Sequence, residues 1–350
     1  MSGSGAVLVI LKKICQQVKE AASTERLLRI QGGNSKRFLG RDLSDLPCVD
    51  ITRLAGVVQY EPAELVIQVR AGTLLQDVIN LLDSEGQMFA FDPPVFNGRA
   101  TIGGMVASGI SGSRRPYAGA VRDFVLGACV INGVGEPLRF GGQVLKNVAG
   151  YDVSRLMVGS MGCLGILTEV SFKVLPKPES EVTRAIDLSA DRAHKMMREL
   201  SSRPSLVSAT AYFEGRLHVR FSGAEQSVIK ATSAFGGESI EPAFWFALDN
   251  LEIFKQGTEL WRVSLTPDSE LFLSECRVFD WAGGQRWLSD PEFDPREKMG
   301  IDAHATLLKS ATTDDRYTPL TGVSLTLHQG LKRQFDPHQI LNPNKMYSDF

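Results

Sequence analysis

The sequence has only five cysteines, an odd number, and no CxxC pair. This argues against a disulfide framework, a cysteine zinc site and an iron–sulfur cluster, and it makes a reducing cytoplasmic location the default expectation. No stretch approaches the roughly 18 apolar residues that a membrane-spanning helix needs. The formal net charge is only −2, so no overall attraction to nucleic acid is expected.

Two common nucleotide-binding signatures are also missing. No GxGxxG joins a strand to a helix and no GxxxxGK[ST] occurs, which argues against a Rossmann fold and a P-loop. The histidines are widely separated in the sequence, so the local spacing of a metal site is absent and we predict no metal. They are His194, His218, His304, His328 and His338.

Glycine, in contrast, is concentrated in one part of the chain. The segment from Gly98 to Gly165 holds 15 of the 33 glycines. Glycine weakens helices and strands, so this density indicates either a turn-rich β structure or a backbone that is pressed against a ligand.

Three glycine-rich segments have the composition of a binding surface. Consecutive amide N–H groups in such a turn can hold a diphosphate, although each segment could also be an ordinary turn at the end of a strand. The segments are Gln31-Gly-Gly-Asn-Ser-Lys36, Ala100-Thr-Ile-Gly-Gly-Met-Val-Ala-Ser108 preceded by Phe91-Asp-Pro-Pro94, and Gly159-Ser-Met-Gly-Cys-Leu-Gly-Ile-Leu-Thr168.

The hydrophobic periodicity predicts mixed α and β structure. Thr73 begins a predicted helix with Gln76 as its capping-box partner, and Pro176-Lys-Pro178 is the best domain boundary. Beyond it, the pattern predicts β-α-β-β-α-β, as in ferredoxin-like folds. Its parts are strand 182–188, helix 190–201, a hairpin of strands 206–213 and 216–221 around Glu214-Gly215, helix 225–234 and strand 260–265.

Four longer motifs carry a resemblance to a known family. They are "IQGGNSKRFLG", "ATIGGMVASG", "KNVAGYDVSRLMVGSMGCLGILTEV" and the terminal "FDPHQILNPNKMY". Residues 25–178 resemble the PCMH-type FAD-binding domain of the vanillyl-alcohol oxidase family. Over essentially its full length, the chain is similar to the FAD-binding (E) subunit family of bacterial glycolate oxidases.

The resemblance implies an α+β fold in three parts. These are a PCMH-type FAD-binding domain of two subdomains over residues 1–178, a ferredoxin-like cap over 179–328, and a C-terminal segment, 329–350, that returns to the FAD domain. Residues at the family's motif positions would bind the cofactor. They are Gly32, Gly33, Asn34, Ser35, Lys36, Pro93, Thr101, Gly103, Gly104, Ala107, Ser108, Arg122, Lys146, Gly162, Gly165 and Ile166.

The sequence departs from the family pattern at two points. Relatives that tether flavin covalently carry a histidine where this chain has Asn34, so we expect FAD to be held noncovalently. The terminal motif has Asn344 where Gly is usual, and Asn tolerates the left-handed backbone next best.

Arg122 and Asp123 fall in the family's Arg-Asp element, where a buried pair could equally be structural.

Three functions remain open at this point. The first is an FAD-binding subunit of a glycolate oxidase complex, which oxidises glycolate to glyoxylate together with a related catalytic flavoprotein and an iron–sulfur subunit that passes electrons to the respiratory chain. The second is a self-sufficient FAD dehydrogenase for 2-hydroxy acids, and the third is a noncatalytic flavin-binding scaffold. The cap is short and no catalytic residue is identified, since a lone His304 is more often structural.

Overall fold

The computed structural model describes residues 3–142, 152–255, 259–300, 302–310 and 315–348. Most of the strands belong to two antiparallel sheets. One sheet, called the small sheet, has five strands, and the other, called the large sheet, has eight. Both sheets pack against helices. The predicted Lys146, Asn147 and Tyr151 lie outside the described residues.

The small sheet has the strand order β3-β4-β8-β6-β7. Its core is built from side chains that alternate along the strands, such as Ile67, Val69 and Phe172, which are fully buried against Val18 of the first helix. The elements of this region are α1 (Gly3–Ser23), β1 (Arg29–Gln31), β2 (Cys48–Asp50), β3 (Val57–Glu61), β4 (Val66–Arg70), α2 (Leu75–Ser84), β5 (Gln87–Met88), α3 (Ile102–Ser108), α4 (Arg115–Ala118), α5 (Val121–Phe124), β6 (Val125–Ile131), β7 (Pro137–Gly141), α6 (Val153–Leu156), β8 (Ile166–Lys173) and β9 (Leu175–Pro176).

The predicted capping box at Thr73 is wrong. Helix α2 begins two residues later, at Leu75, without a side-chain cap. The Thr73 hydroxyl instead donates to the Arg70 carbonyl oxygen at 2.7 Å and accepts from the Gly56 amide at 2.9 Å. Thr73 therefore closes the turn after β4, and this contact with a distant loop is not visible in the local sequence.

The large sheet has the order β13-β10-β12-β11-β15-β16-β14-β17. Its first four strands and two helices form the predicted β-α-β-β-α-β unit. The hairpin at Glu214-Gly215 is confirmed, and both residues have positive φ angles (48° and 80°). The elements are β10 (Ser180–Asp187), α7 (Ala190–Ser201), β11 (Val207–Phe213), β12 (Arg216–Gly223), α8 (Glu225–Phe235), β13 (Glu238–Ile240), α9 (Ala243–Asp249), β14 (Leu260–Ser264), β15 (Val278–Asp280), β16 (Gln285–Ser289) and β17 (His304–Lys309).

One strand of the predicted unit is assigned differently. Its last strand is β13, three residues long, and not the segment 260–265. That segment is β14, which pairs with β16 and β17 in a four-stranded extension of the sheet. A three-residue edge strand with mostly exposed side chains has too little hydrophobic pattern to be recognised in a sequence.

The C-terminal segment packs against β1. After the last helix, α10 (Gly322–Phe335), Leu341 forms a parallel bridge with Leu28. The Asn342 side chain accepts from the Ile30 amide at 2.8 Å and donates to the Met161 carbonyl oxygen at 2.7 Å. Helix α10 spans the boundary predicted at residue 328, and Asn344 has the left-handed φ of 55° that its position requires.

A buried ion pair fixes this segment. Lys332 Nζ lies 2.8 Å from Asp336 Oδ2, and both side chains are 1% exposed or less. The ammonium also donates to the carbonyl oxygens of Cys163 and Leu341. Each of its three protons therefore has an acceptor, which compensates for the loss of hydration.

Ionic contacts join the first region of the chain to the large sheet. Asp92 accepts from Arg114 and from Arg220 of β12, the latter at 2.6 Å, and Arg114 also pairs with Glu181 of β10 at 2.5 Å. Burial raises the pKa of Asp92, but Arg220 and Arg114 outweigh it and lower that pKa overall. The carboxylate therefore stays ionised and links the loop after β5 to the large sheet.

Candidate functional site

A cleft lies between the turn after β1 and helix α3. We call it the N-terminal cleft; it brings together nine of the residues predicted from the sequence. They are Gly32, Gly33, Asn34, Ser35, Lys36, Thr101, Gly104, Ala107 and Ser108. Two glycine-rich segments that are about 70 residues apart in the chain therefore form opposite walls of one site.

The turn after β1 has unpaired backbone donors. None of the five amide N–H groups of residues 32–36 donates to an acceptor within the described part of the chain. Asn34 has a left-handed φ of 55°, which turns successive N–H groups toward one side. Such a concave row of donors is suited to the oxygens of a diphosphate.

The two glycines of this turn are required by packing. A Cβ at Gly33 would overlap the carbonyl oxygen of Arg99, and a Cβ at Gly32 would lie 2.5 Å from Thr101 Oγ1. The turn can approach the second glycine-rich segment this closely only without side chains. The glycines thus set the width of the cleft.

Lys36 places an unpaired cation in the cleft. Its Nζ is buried and has no hydrogen-bond partner among the described residues, and it lies 5.2 Å from the centre of the Phe96 ring. Burial lowers the pKa of Lys36 to about 8. An ammonium without a counter-ion is costly to bury, so this site is suited to an anionic group.

The adjacent glycines of α3 face in opposite directions. A Cβ at Gly103 would lie 2.8 Å from the Ala71 Cβ in the core, whereas a Cβ at Gly104 would come within 4 Å of Thr101 Oγ1 alone, at 3.2 Å, among the described atoms outside its own stretch of helix. Thr101 caps the helix by accepting from the Gly104 amide. Gly104 therefore exposes bare backbone to the cleft, and Gly103 serves the packing of α3 on β4.

Comparison with known proteins agrees with this geometry. A family model described as an FAD binding domain matches residues 11–141. The chain is 42% identical over 340 residues to the glycolate oxidase subunit GlcE of Escherichia coli (strain K12), which covers 96% of this chain and 97% of that protein. The chain belongs to the GlcE family. The match to an FAD-binding domain and to this flavoprotein relative shows FAD as the cofactor of the chain.

Other relatives of this GlcE family member match over a shorter region. The glycolate oxidase subunit GlcD of Bacillus subtilis (strain 168) is 38% identical over 127 residues, which is 36% of this chain and 27% of that protein. The D-lactate dehydrogenase of Anaerostipes hadrus is 33% identical over 138 residues, 39% of this chain and 29% of that protein. These matches place the chain among FAD-dependent oxidoreductases.

A solved structure confirms the fold. An alkyldihydroxyacetonephosphate synthase superposes with a TM-score of 0.68 at 15% identity, over 96% of this chain and 76% of that one. At this identity the likeness shows the fold alone. The predicted α+β architecture with a PCMH-type FAD-binding domain is confirmed.

The third glycine-rich segment contributes Met161 to the cleft, and its glycines at 162 and 165 do not line it. Gly162 is buried with a φ of 75°, and a Cβ there would lie 2.7 Å from Asn342 Nδ2. Gly165 packs against Val130, and Ile166 is a fully buried core residue at the start of β8. Gly162 therefore packs against Asn342 of the cleft wall, Gly165 and Ile166 lie in the core, and the predicted contact of all three with the adenosine end stays a prediction.

Two further predicted residues, Pro93 and Arg122, do not line the N-terminal cleft. Pro93 lines a separate cleft between α2 and α9. Arg122 is exposed on α5, as is Asp123, whose carboxylate accepts from the Ala120 amide. The described ion pairs do not join Arg122 to Asp123, and Lys146 lies outside the described residues.

The predicted set leaves out several residues that line the cleft, and three of them come from distant parts of the chain. Met161, Asn342 and Lys345 complete its wall. The Lys345 ammonium donates to the Arg41 carbonyl oxygen at 2.6 Å, and burial lowers its pKa. The terminal motif could have indicated Asn342 and Lys345. A short polar motif that packs beside a glycine-rich turn can contact the ligand of that turn.

Two absences concern the residues that the structure describes. Among them, no three His, Cys, Asp or Glu side chains are grouped as metal ligands would be. None of the helices that the structure describes is long and apolar enough to cross a membrane.

The residues of the cleft fit the cofactor. FAD carries a negatively charged diphosphate, and the cleft offers five unpaired amides at residues 32–36, a buried unpaired ammonium at Lys36 and the bare backbone of Gly104. Donors for several oxygens and one compensating charge therefore converge where two glycine segments meet.

Proposed function

We propose that this chain is the FAD-binding subunit of a complex that oxidises glycolate to glyoxylate. The observation that carries the proposal is the row of unpaired amides at residues 32–36 beside the Lys36 ammonium. The names of the relatives, glycolate oxidase subunits GlcE and GlcD, support a multi-subunit complex. An iron–sulfur subunit would pass the electrons to the respiratory chain.

The residues of the chain hold the cofactor in this proposal. The amides of residues 32–36 and the Lys36 ammonium bind the diphosphate, and Thr101, Gly104, Ala107 and Ser108 form the facing wall. The third glycine segment, with Gly162, Gly165 and Ile166, supports the adenosine end through the backbone. When bound, FAD supplies the two-electron acceptor that oxidation of a hydroxyl to a carbonyl needs.

The domain organisation is part of the same proposal. Residues 1–178 bind FAD, residues 179–328 form the cap, and residues 329–350 close the cleft from the C-terminal side. We also propose a cytoplasmic location, with the complex held peripherally at the inner membrane by its other subunits.

The attachment of the cofactor can be tested first. Asn34 has no imidazole with which to form a bond to flavin, so acid denaturation should release all yellow cofactor into the supernatant. Flavin that remains with the precipitated chain would show a covalent link and contradict this part of the proposal.

The function is tested by anaerobic reduction with glycolate. The FAD-loaded chain alone should bleach slowly or not at all, and it should bleach fast once a GlcD-type flavoprotein and an iron–sulfur subunit are added. Rapid bleaching of the isolated chain would favour the self-sufficient dehydrogenase. Flavin that stays oxidised in a complex that is turning over would favour the scaffold.

A further inference from the structure

A groove lies between helix α1 and the hairpin of β6 and β7 at the edge of the small sheet. We call it the helix groove. Its volume is about 650 Å³, which falls within the range of small-molecule sites. Helix α1 provides one wall, and β6, β7 and the start of β8 provide the other. The groove shares no lining residue with the N-terminal cleft, so it is a separate site.

Helix α1 has two apolar faces. Ile14 and Val18 are buried in the core of the small sheet. Leu8 and Leu11 line the groove instead, and Leu8 is 53% exposed. Residues three or four positions apart lie on the same side of a helix, so each pair forms a stripe. The second stripe is apolar surface that the described part of the chain leaves uncovered.

The facing wall of the groove is also apolar. Ile131 of β6 and Pro137 and Leu138 of β7 line it. Cys15 and Cys129 line the groove as well, and burial raises the pKa of both thiols. Both cysteines are therefore neutral at pH 7 and behave as small apolar groups. The two walls together are suited to a hydrocarbon chain.

The turn between β6 and β7 closes one end of the groove. A Cβ at Gly135 would lie 2.6 Å from the Cys15 carbonyl oxygen and 2.6 Å from Lys19 Cγ. The turn approaches α1 this closely because position 135 has no side chain. From Leu8 to Lys19, at the rise of an α-helix, the groove is about 16 Å long. An elongated groove with one closed end is suited to a single chain of limited length.

The rim of the groove is positively charged. Lys12, Lys19 and Arg139 line it together with one carboxylate, Glu169. Arg139 Nη2 lies 3.7 Å from Glu169 Oε2, so these two charges compensate each other. Within the described chain, Lys12 and Lys19 form no ion pair or hydrogen bond. Two uncompensated ammonium groups beside an apolar groove favour an anion with an apolar body.

We propose that the helix groove binds a free straight-chain carboxylate of medium length, with its hydrocarbon chain between α1 and the hairpin and its carboxylate at Lys12 and Lys19. The two lysines are about 10 Å apart along one side of α1, within the combined reach of two long, flexible side chains. The nearby carboxylates of Glu20 and Glu136 do not line the groove. The proposal uses no residue of the N-terminal cleft and does not depend on the proposed function.

Calorimetric titration of the full, FAD-loaded chain tests the groove with three matched probes. Decanoate has the chain and the negative charge, decanol lacks the charge, and decyltrimethylammonium carries the opposite charge. Decanoate should bind most tightly and decyltrimethylammonium least. The affinity should rise about threefold to tenfold from octanoate to decanoate, because each buried methylene adds apolar contact.

Substitutions separate the ionic contact from the apolar contact. Lys12→Gln combined with Lys19→Gln should weaken decanoate binding about threefold to tenfold and leave decanol binding unchanged. Leu8→Asp should weaken the binding of both probes. The matched controls are Lys230→Gln and Ile229→Asp, at exposed positions on α8, and they should change neither affinity.

Several results would overturn the proposal. Decanoate that does not bind the wild-type chain, or that binds no more tightly than decanol, would do so, and so would an affinity that the two lysine substitutions leave unchanged. Decanoate that displaces FAD would assign its binding to the N-terminal cleft. Sedimentation of the chain with phosphatidylglycerol vesicles, without binding of decanoate, would assign the groove to a lipid surface. If Leu8→Asp fails to fold, the lysine variant and the three probes on the wild type still decide.

Discussion

The N-terminal cleft and the polar cluster of the large sheet, formed by Arg262, Asp280 and Gln285, are built in different ways. One wall of the cleft is a run of five consecutive residues, 32–36, and its donors are backbone amides. The cluster takes single side chains from separate strands, with Arg262 on β14, Asp280 on β15 and Gln285 on β16. A surface made of local backbone can be recognised in a sequence, whereas a cluster of side chains from separate strands depends on strand register.

The sequence predictions divide along the same line. The helix 190–201 and the hairpin at Glu214-Gly215 depend on local periodicity and turn chemistry, and both were predicted. The capping box at Thr73 and the last strand of the β-α-β-β-α-β unit were wrong, because Gly56 and the register of β13 decide them. Arg262 and Asp280 are 18 positions apart in the sequence and share no local motif. The pairing of β14, β15 and β16 brings them together.

The largest effect should come from the ion pair behind the N-terminal cleft. Lys332→Met leaves Asp336 buried without its partner, so the free energy of unfolding should fall by about 3–5 kcal/mol. Urea denaturation measures this loss. Lys230→Met, at an exposed position on α8, is the control for removal of a lysine and should cost little.

A second variant separates charge from packing at this pair. Lys332→Met with Asp336→Asn removes the uncompensated charge, and the amide oxygen can still accept from the Leu341 N–H. It should recover part of the lost stability. If the single variant is as stable as the wild type, the ion pair does not fix the C-terminal segment behind the cleft.

The two glycines of α3 should separate folding from binding. Gly104→Val directs a side chain into the cleft, so the chain should fold but remain free of FAD. At a cofactor concentration of 100 Kd this forfeits about 2.7 kcal/mol of ligand stabilisation, visible as a lower Tm only when FAD is present. Gly103→Ala meets Ala71 in the core and should lower the Tm with or without FAD. A yellow Gly104→Val protein would place the cofactor elsewhere.

The smallest effect should be the pH dependence of FAD binding. Burial lowers the pKa of Lys36 to about 8 in the cofactor-free chain, and a bound diphosphate would raise it. FAD affinity should therefore be constant below pH 8 and fall by up to about tenfold per pH unit above it. Fluorescence titration between pH 7 and 9 measures this.

Two substitutions test whether the pH dependence of FAD affinity comes from Lys36. Lys36→Gln should bind FAD more weakly and without the pH dependence, whereas Lys36→Arg stays charged and should bind at all these pH values. Lys345 also lines the cleft, and burial lowers its pKa too. A pH dependence that survives Lys36→Gln would therefore point to Lys345 and refute the role of Lys36.

The contacts of Asn342 join the end of the chain to its beginning. Its side chain accepts from the Ile30 amide and donates to the Met161 carbonyl oxygen. Asn342 follows Ile30 by 312 positions in the chain, so it is synthesised long after the turn that it contacts. Both glycine-rich segments of the cleft and all strands of the large sheet precede Asn342 in the chain, so they are synthesised before these two hydrogen bonds can form. The cleft is therefore complete only once the C-terminal segment has packed against β1.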